Sequence, residues 1–294
     1  MENMQDKYIS GTKWAKIIRD EVAQEITTLV NEGKPKPKLA SIIVGDREES
    51  QIYVRNKEKA CLEVGIECVM YKFPENAHTH DIIQELCWLN SDDSVHGILI
   101  QLPLPKTIDE QEILSGISSM KDVDGVAGPM QLGKLAYKGY VADFVPCTAN
   151  ACLELLKREN IPLCGANVVV LGRSPNVGIP ISLLLIKENA TVTICHSKTK
   201  NVHEITKHAD ILITAIGVPQ FVKGEHLKEG VVIIDVGINQ IEDKSRKSGF
   251  RLVGDVDFDS CINVCSKITP VPRGVGPMTI SMLLRNVVNA AKRQ

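Results

Sequence analysis

A pattern that occurs twice constrains this chain more than any other feature: short, nearly unbroken apolar runs alternate with stretches of helical periodicity. The runs 39–44, 65–71 and 97–102 are separated by stretches 49–64 and 79–90 that read as helices. An amphipathic helix over 11–32 precedes them. Trp14, Ile17, Ile18, Val22, Ile26 and Val30 recur on its one face, and Gly33 and Pro35 stop it. The alternation restarts with 167–171, 190–195, 211–215 and 231–236, with helices predicted over 148–160, 178–188 and 278–292. Apolar runs without a polar face predict strands covered on both sides, and strand–helix–strand order predicts parallel sheets. The expected class is therefore α/β in two domains, which 294 residues accommodate. The irregular stretch 103–147, with Pro103, Pro105, Pro129 and Pro146, is expected to hold loops and the passage between domains.

Charge and cysteine usage exclude several functional classes. Lys+Arg is 34 against Asp+Glu 36, so no basic excess points to nucleic acid as a partner. No apolar run reaches the roughly 18 residues of a membrane span. The nine cysteines are odd in number, scattered and without C-x-x-C spacing. That pattern is neither a disulfide framework nor a zinc ribbon, and the thiols are expected to be reduced. Residues 1–6 carry neither a signal-peptide apolar core nor the arginines of a mitochondrial presequence. The expected location is cytoplasmic, with no bound metal.

The turn after the run 167–171 reads Gly172-Arg173-Ser174-Pro175-Asn176-Val177-Gly178 and leads into a predicted helix. Glycines at a strand-to-helix turn let the backbone approach a pyrophosphate, and the helix start offers unpaired N–H groups. Arg173 and Ser174 stand where the usual fingerprint has its second glycine. The next apolar run ends in Cys195-His196-Ser197-Lys198-Thr199-Lys200, without the acid that binds a free ribose hydroxyl. A hydroxyl among cations suits a 2′-phosphate instead, which favours NADP over NAD; Arg173 offers a planar fork to the same phosphate.

In the first half, Tyr53 and Lys57 lie four apart on a predicted helix and share a face, a spacing that by itself reads as surface packing. A lysine drawn out of water can exchange protons with a reacting centre. Gln101 ends an apolar run, where ligands of open α/β sheets gather. Lys121-Asp122-Val123-Asp124-Gly125 reads either as an Asx turn closed by glycine or as a carboxylate that holds a polar heterocycle. The stretch 269–279, dense in Pro and Gly, reads as a shaped loop at a cleft.

Together these segments resemble the bifunctional methylenetetrahydrofolate dehydrogenase/methenyltetrahydrofolate cyclohydrolase family (FolD-like). The matching segments are Val44-Gly45-Asp46, Ser50 to Val54 with Lys57, 97–103, 121–125, Pro146-Cys147-Thr148, Gly172-Arg173-Ser174, Val177-Gly178 with Pro180, His196 to Thr199, Gly254-Asp255-Val256 and 274–279. They span nearly the whole chain in family order. The resemblance implies a folate-binding catalytic domain, 1–148 plus 275–294, and a Rossmann-like NADP-binding domain, 149–274, with a cleft between them. It also implies a homodimer, a folate substrate and a place in one-carbon metabolism, including purine biosynthesis.

By the same resemblance Lys57 is the central acid/base group, Tyr53 shapes its surroundings, Gln101 supports it and Asp124 binds the pterin ring. Folate contacts are implied for Tyr53, Val54, Lys57, Ile100, Gln101, Leu102, Asp124, Pro272, Arg273, Gly274, Val275 and Gly276. Cofactor contacts are implied for Gly172, Arg173, Ser174, Val177, Gly178, His196, Ser197, Ile238 and Thr279. The alternatives are a monofunctional dehydrogenase on this fold and a silent folate- or NADP-binding paralogue.

The chain departs from the family pattern at Ala149-Asn150-Ala151, where a proline and a glycine are usual, at 126–129, and at Arg273, where glycine is usual. At a positive φ an arginine there is strained. At an ordinary φ it faces the anionic glutamate tail of a folate.

Overall fold

The structure is a computed structural model. It describes residues 4–46, 48–126, 134–135, 143–246 and 249–294, and the side chains of these apart from 4–5 and 48–53. The described residues fall into two compact units. One lies within Lys16–Lys134, Val141–Cys147 and Ile280–Gln294. The other lies within Met1–Ala15, Leu135–Tyr140 and Thr148–Thr279.

The first unit is built on a three-stranded parallel sheet in the order β2-β1-β3. Its strands are β1 (Lys38–Val44), β2 (Glu67–Phe73) and β3 (Gly97–Ile100). The central strand is buried along all but its first residue, as its unbroken apolar run requires. Helix α1 (Gly11–Asn31) turns Ile18, Val22, Ile26 and Leu29 inward and ends at Gly33, whose φ of 82° closes the last turn. Helices α2 (Glu48–Val64) and α3 (Thr79–Ser91) connect the strands. Ile82, Leu86 and Leu89 of α3 pack with Ala40, Ile42, Ile98 and Ile100 of the sheet. A short helix, α4 (Glu110–Ser115), is capped by Asp109, whose carboxylate accepts from Glu112 N at 3.0 Å. It lies inside the stretch expected to be irregular, because six residues are too few to show a period.

The second unit opens with α5 (Cys147–Arg158) and carries a five-stranded parallel sheet in the order β10-β7-β6-β4-β5. These are β4 (Asn167–Leu171), β5 (Thr191–Cys195), β6 (Ile211–Thr214), β7 (Val232–Asp235) and β10 (Lys267–Ile268). Helix α6 (Gly178–Lys187) follows β4, α7 (Val202–Thr206) follows β5, and the short α8 (Phe258–Cys261) precedes β10. The chain runs from β4 to β5 on one side and then to β6 on the other, so the strand order reverses between β4 and β6. That reversal opens the crevice where ligands of such sheets bind.

Two features of this unit lay outside the expected pattern. An antiparallel hairpin, β8 (Asn239–Glu242) with β9 (Phe250–Val253), follows β7. Its exposed, mixed strands give little alternation to read. The terminal helix, α9 (Val275–Arg293), starts three residues earlier than the apolar pattern suggests. Pro277 lies in its first turn, where a missing N–H costs nothing. Its later residues, from Ile280, belong to the first unit.

Candidate active site

In the first unit, Lys57 projects from the middle of α2 and Gln101 follows the carboxyl end of β3. Gln101 is placed by its own backbone, whose N–H donates to Ile42 O at 2.9 Å. Its side-chain amide donates to Leu102 O at 2.8 Å, so its oxygen must face the other way. Lys57 Nζ donates to that oxygen at 3.0 Å. Both side chains are half-buried. The lysine is therefore held in place but not wholly withdrawn from water. Val54, one turn earlier on α2, is buried, as is Ile100; Leu102 is half-buried. The backbone of Tyr53 lies in α2, but its side chain is outside the described residues.

In the acidic segment 121–125, Lys121 and Asp122 are scaffold. Lys121 is buried and caps the end of α3, its Nζ donating to Leu89 O at 3.0 Å and Asp92 O at 2.8 Å. Burial holds its ammonium below the ordinary lysine range. Asp122 Oδ1 accepts from Gly125 N at 3.1 Å and Val126 N at 3.2 Å, which is an Asx turn. Gly125 has a φ of 72°, and a Cβ there would overlap the backbone of Val145 and Pro146. Asp124, between these scaffold residues, stays half-exposed.

Cys147 and Asn286 join this cluster without having been marked as site residues in the sequence. The Cys147 thiol donates to Val123 O at 3.3 Å and is hydrogen-bonded to Asp124. Burial first, and the charge of Asp124 second, push it well above the ordinary thiol range, while the Lys57 charge pulls the other way. Cys147 is thus a neutral donor and not a nucleophile. Asn286 of α9 donates to Val123 O at 2.8 Å and Val145 O at 3.1 Å, bracing the turn that presents Asp124. Its signal in the sequence is a polar residue among Leu283, Leu284, Val287 and Val288, all buried.

In the second unit the crevice is shaped by backbone. Gly172 has a φ of 112°, and a Cβ there would overlap Ala215 O; one on Gly178 would overlap Gly172 O. Any side chain at either position would displace the turn. Ser174 Oγ accepts from Val177 N at 3.2 Å and Gly178 N at 3.4 Å, ordering the start of α6. Gly172 N donates to Cys195 O at 2.9 Å, which sets the turn after β5 beside the glycine turn. In that turn His196 Nδ1 accepts from Lys198 N at 3.2 Å, and Ser197, Lys198 and Lys200 are exposed. Arg173 is exposed as well, so among the described residues of these two turns, 172–178 and 196–200, there are hydroxyls and cations and no acid. Ile238, after β7, is exposed, and Thr279 Oγ1 donates to Val275 O at 3.3 Å within α9.

Arg273 has a φ of 82°, which settles its two readings in favour of strain. Pro272 and Arg273 are exposed, while Gly274 and Val275 are buried. Gly274 has no room for a Cβ, which would overlap Pro270 O. Among the described residues, no group of three His, Cys, Asp or Glu side chains is placed to hold a metal ion. No helix among them is long and apolar enough to cross a membrane.

Comparison with known proteins gives one answer. Residues 9–124 match the tetrahydrofolate dehydrogenase/cyclohydrolase catalytic domain, and residues 146–294 match the NAD(P)-binding domain of the same family. The chain is 51% identical over 287 residues to "Bifunctional protein FolD 2" of Arabidopsis thaliana, covering 98% of this chain and 96% of that one. It is 46% identical over 291 residues to "Bifunctional protein FolD" of Acetivibrio thermocellus, covering 99% of each. Among solved structures it resembles the methylenetetrahydrofolate dehydrogenase-cyclohydrolase of Trypanosoma brucei complexed with NADP cofactor and inhibitor, with a TM-score of 0.92, 41% identity and 97% coverage of each chain. The chain belongs to the tetrahydrofolate dehydrogenase/cyclohydrolase family.

Proposed function

We propose that this chain oxidises 5,10-methylenetetrahydrofolate to 5,10-methenyltetrahydrofolate with NADP and hydrolyses the product to 10-formyltetrahydrofolate. The observation that carries the reading is Lys57 held 3.0 Å from Gln101 in the neighbourhood of Asp124 and Cys147, in a chain of this family. The residues of the second unit fit NADP. Gly172 and Gly178 leave bare backbone at the strand reversal, and Arg173, Ser174 and Ser197 offer donors to a 2′-phosphate. When bound, NADP supplies a hydride acceptor; the protein's part is to position the two reactants and exclude competing reactions.

The hydrolytic step falls to side chains. Water adds to the cationic methenyl carbon, losing a proton, and opening of the ring requires a proton at the departing nitrogen. Lys57 is the group we assign to these transfers. Gln101 fixes the direction of its Nζ, and Asp124 binds the pterin ring. Folate contacts are assigned to Tyr53, Val54, Ile100 and Leu102 and to the loop of Pro272, Arg273, Gly274, Val275 and Gly276. Cofactor contacts are assigned to Gly172, Arg173, Ser174, Val177, Gly178, His196, Ser197, Ile238 and Thr279. The functional division is placed at 1–148 with 275–294, and 149–274.

A homodimer is supported by β5, the outer strand of the nucleotide-unit sheet, where Thr191, Thr193 and Ile194 are exposed. An unpaired strand edge is a ready template for a second copy. A cytoplasmic location is supported by nine cysteines that are all free thiols.

The test is to mix the protein with 5,10-methylenetetrahydrofolate and NADP⁺ or NAD⁺, following reduced nicotinamide and methenyl-folate at separate wavelengths. Reduction with NADP⁺ and no build-up of methenyl-folate is expected. Build-up in step with reduction would reassign the chain as a monofunctional dehydrogenase, and no reaction with either cofactor would make it a silent paralogue.

A further inference from the structure

We propose that Asp255 is a positioning residue for the nicotinamide half of NADP, acting through the loop after β6 and the strand after β7. The inference rests on the NADP reading above and adds a residue to it.

Asp255 is wholly buried, in the turn that follows β9. Its carboxylate accepts from three consecutive backbone N–H groups. Oδ2 takes Ile216 N at 2.7 Å and Gly217 N at 3.2 Å, and Oδ1 takes Val218 N at 3.0 Å. Oδ1 also accepts from the side chain of Asn239 at 2.9 Å. One carboxylate therefore ties the loop 216–218 to the start of β8. A Cβ on Gly237 would overlap Oδ1, so the chain at 237 also moulds itself to this carboxylate.

Asp255 is itself anchored. Its N–H donates to Asp235 Oδ1 at 3.1 Å, and Val256 N donates to Asp235 Oδ2 at 3.0 Å. Asp235 ends β7 and is pinned by Thr214 Oγ1 at 2.9 Å from the end of β6. The network spans the carboxyl ends of two adjacent strands of the nucleotide sheet.

Its position identifies which part of a dinucleotide it serves. The strand order reverses between β4 and β6, and the dinucleotide lies across that reversal. The turn after β5, with Ser197 and Lys198, is on the adenosine side. The ends of β6 and β7 are on the other side, where the nicotinamide half must lie. There the two segments held by Asp255 display Val218 and Ile238, both exposed apolar side chains. Ala215, at the root of the held loop, lies directly against Gly172. A shift of the loop would move the wall of the crevice and both apolar contacts together.

Asp255→Asn is the informative variant. Both carboxylate oxygens accept from N–H groups, so either orientation of the amide sets an NH2 against donors. Affinity is measured by calorimetry for NADP⁺ and for 2′,5′-ADP, which presents only the adenosine half. The expected result is NADP⁺ weakened about tenfold or more, as for one unsatisfied charge-assisted contact, with 2′,5′-ADP within about twofold of wild type. Hydrolysis of methenyl-folate supplied without cofactor should be retained, which shows that the chain is folded. Unchanged NADP⁺ affinity, or equal weakening of both ligands, would overturn the inference.

If Asp255→Asn fails to fold, Asn239→Ala decides by the same pair of affinities. It removes one of the four contacts and should weaken NADP⁺ about threefold while sparing 2′,5′-ADP; no selective loss would overturn the proposal. Failure of the wild type to bind NADP⁺ at all would be a separate result that removes the underlying reading.

Discussion

The two halves of this protein build their sites from different materials. In the three-stranded unit the proposed chemistry rests on side chains that reach one another, Lys57 to Gln101 and Cys147 to Asp124. Most of these groups are half-buried, and the backbone beneath them is ordinary helix and strand end. In the five-stranded unit the crevice is main chain, shaped by Gly172 and Gly178 and held from below by Asp235 and Asp255. A catalytic group must be supplied as a side chain because it moves protons. A phosphate-binding turn needs the absence of side chains because the backbone itself approaches the ligand. Substitutions in the first unit should therefore remove hydrolysis and spare the fold, whereas those at the glycines of the second should lower stability and cofactor binding together.

The largest effect should come from Lys57→Met. Loss of the proton-transfer group is expected to lower cyclohydrolase turnover by about 10²–10⁴-fold, with the melting temperature close to wild type. Normal hydrolysis of methenyl-folate would remove Lys57 from its role. Gly172→Ala should behave in the opposite way. Its positive φ and the close Ala215 carbonyl predict a loss of about 2–3 kcal/mol of stability, with NADP⁺ binding falling in parallel. Unchanged denaturant midpoint and affinity would show that the turn tolerates a side chain.

A subtler contrast lies in pH. The Asp235 carboxyl is pushed up to about 6 from an ordinary 3.8, chiefly by burial. The fold thus favours its protonated form. Its favourable contribution is whole below about pH 4 and is lost as pH rises through about 6. Asn at 235 does not titrate, so the stability of wild type relative to Asp235→Asn should fall between pH 4 and 7. The expected fall is on the order of 2 kcal/mol. Denaturant unfolding of both proteins across that range measures it, and a difference that is flat or rises with pH contradicts the assignment.

The smallest effect belongs to Arg273. Its φ of 82° is a glycine conformation occupied by a bulky residue. Arg273→Gly should stabilise the protein by about 0.5–1 kcal/mol, the relief of strain offset by the greater freedom of glycine when unfolded. A destabilised Arg273→Gly would mean that the arginine side chain contributes more than its backbone costs.

The sequence made the two sheets legible because their strands are covered on both faces and show as unbroken apolar runs. The hairpin 239–253 was not legible, since exposed strands of mixed composition leave no such run. Gln101 is marked by its strand end, whereas the helix spacing of Lys57 fits a surface pair and only the family resemblance singles it out; the strain at Arg273 was foreseen as one of two outcomes. The scaffold roles within 121–125 were not readable, because Lys121 and Asp122 reveal them only through the carbonyls and amides they meet. Asp235 and Asn286 were missed for the same reason, and Asp255 was named only within a matching segment, without a role. A buried polar residue is identified by its partners, and these partners are distant in sequence: Asn286 donates to Val123, 163 residues away.

The most direct test of this contrast uses two variants and two assays. Lys57→Met and Gly172→Ala are each given methenyl-folate without cofactor, and each is titrated with NADP⁺. A double dissociation is expected. Lys57→Met should fail to hydrolyse but bind NADP⁺ as wild type does, and Gly172→Ala should hydrolyse but bind NADP⁺ weakly. Loss of both functions in Lys57→Met, or hydrolysis by Lys57→Met at the wild-type rate, would contradict it.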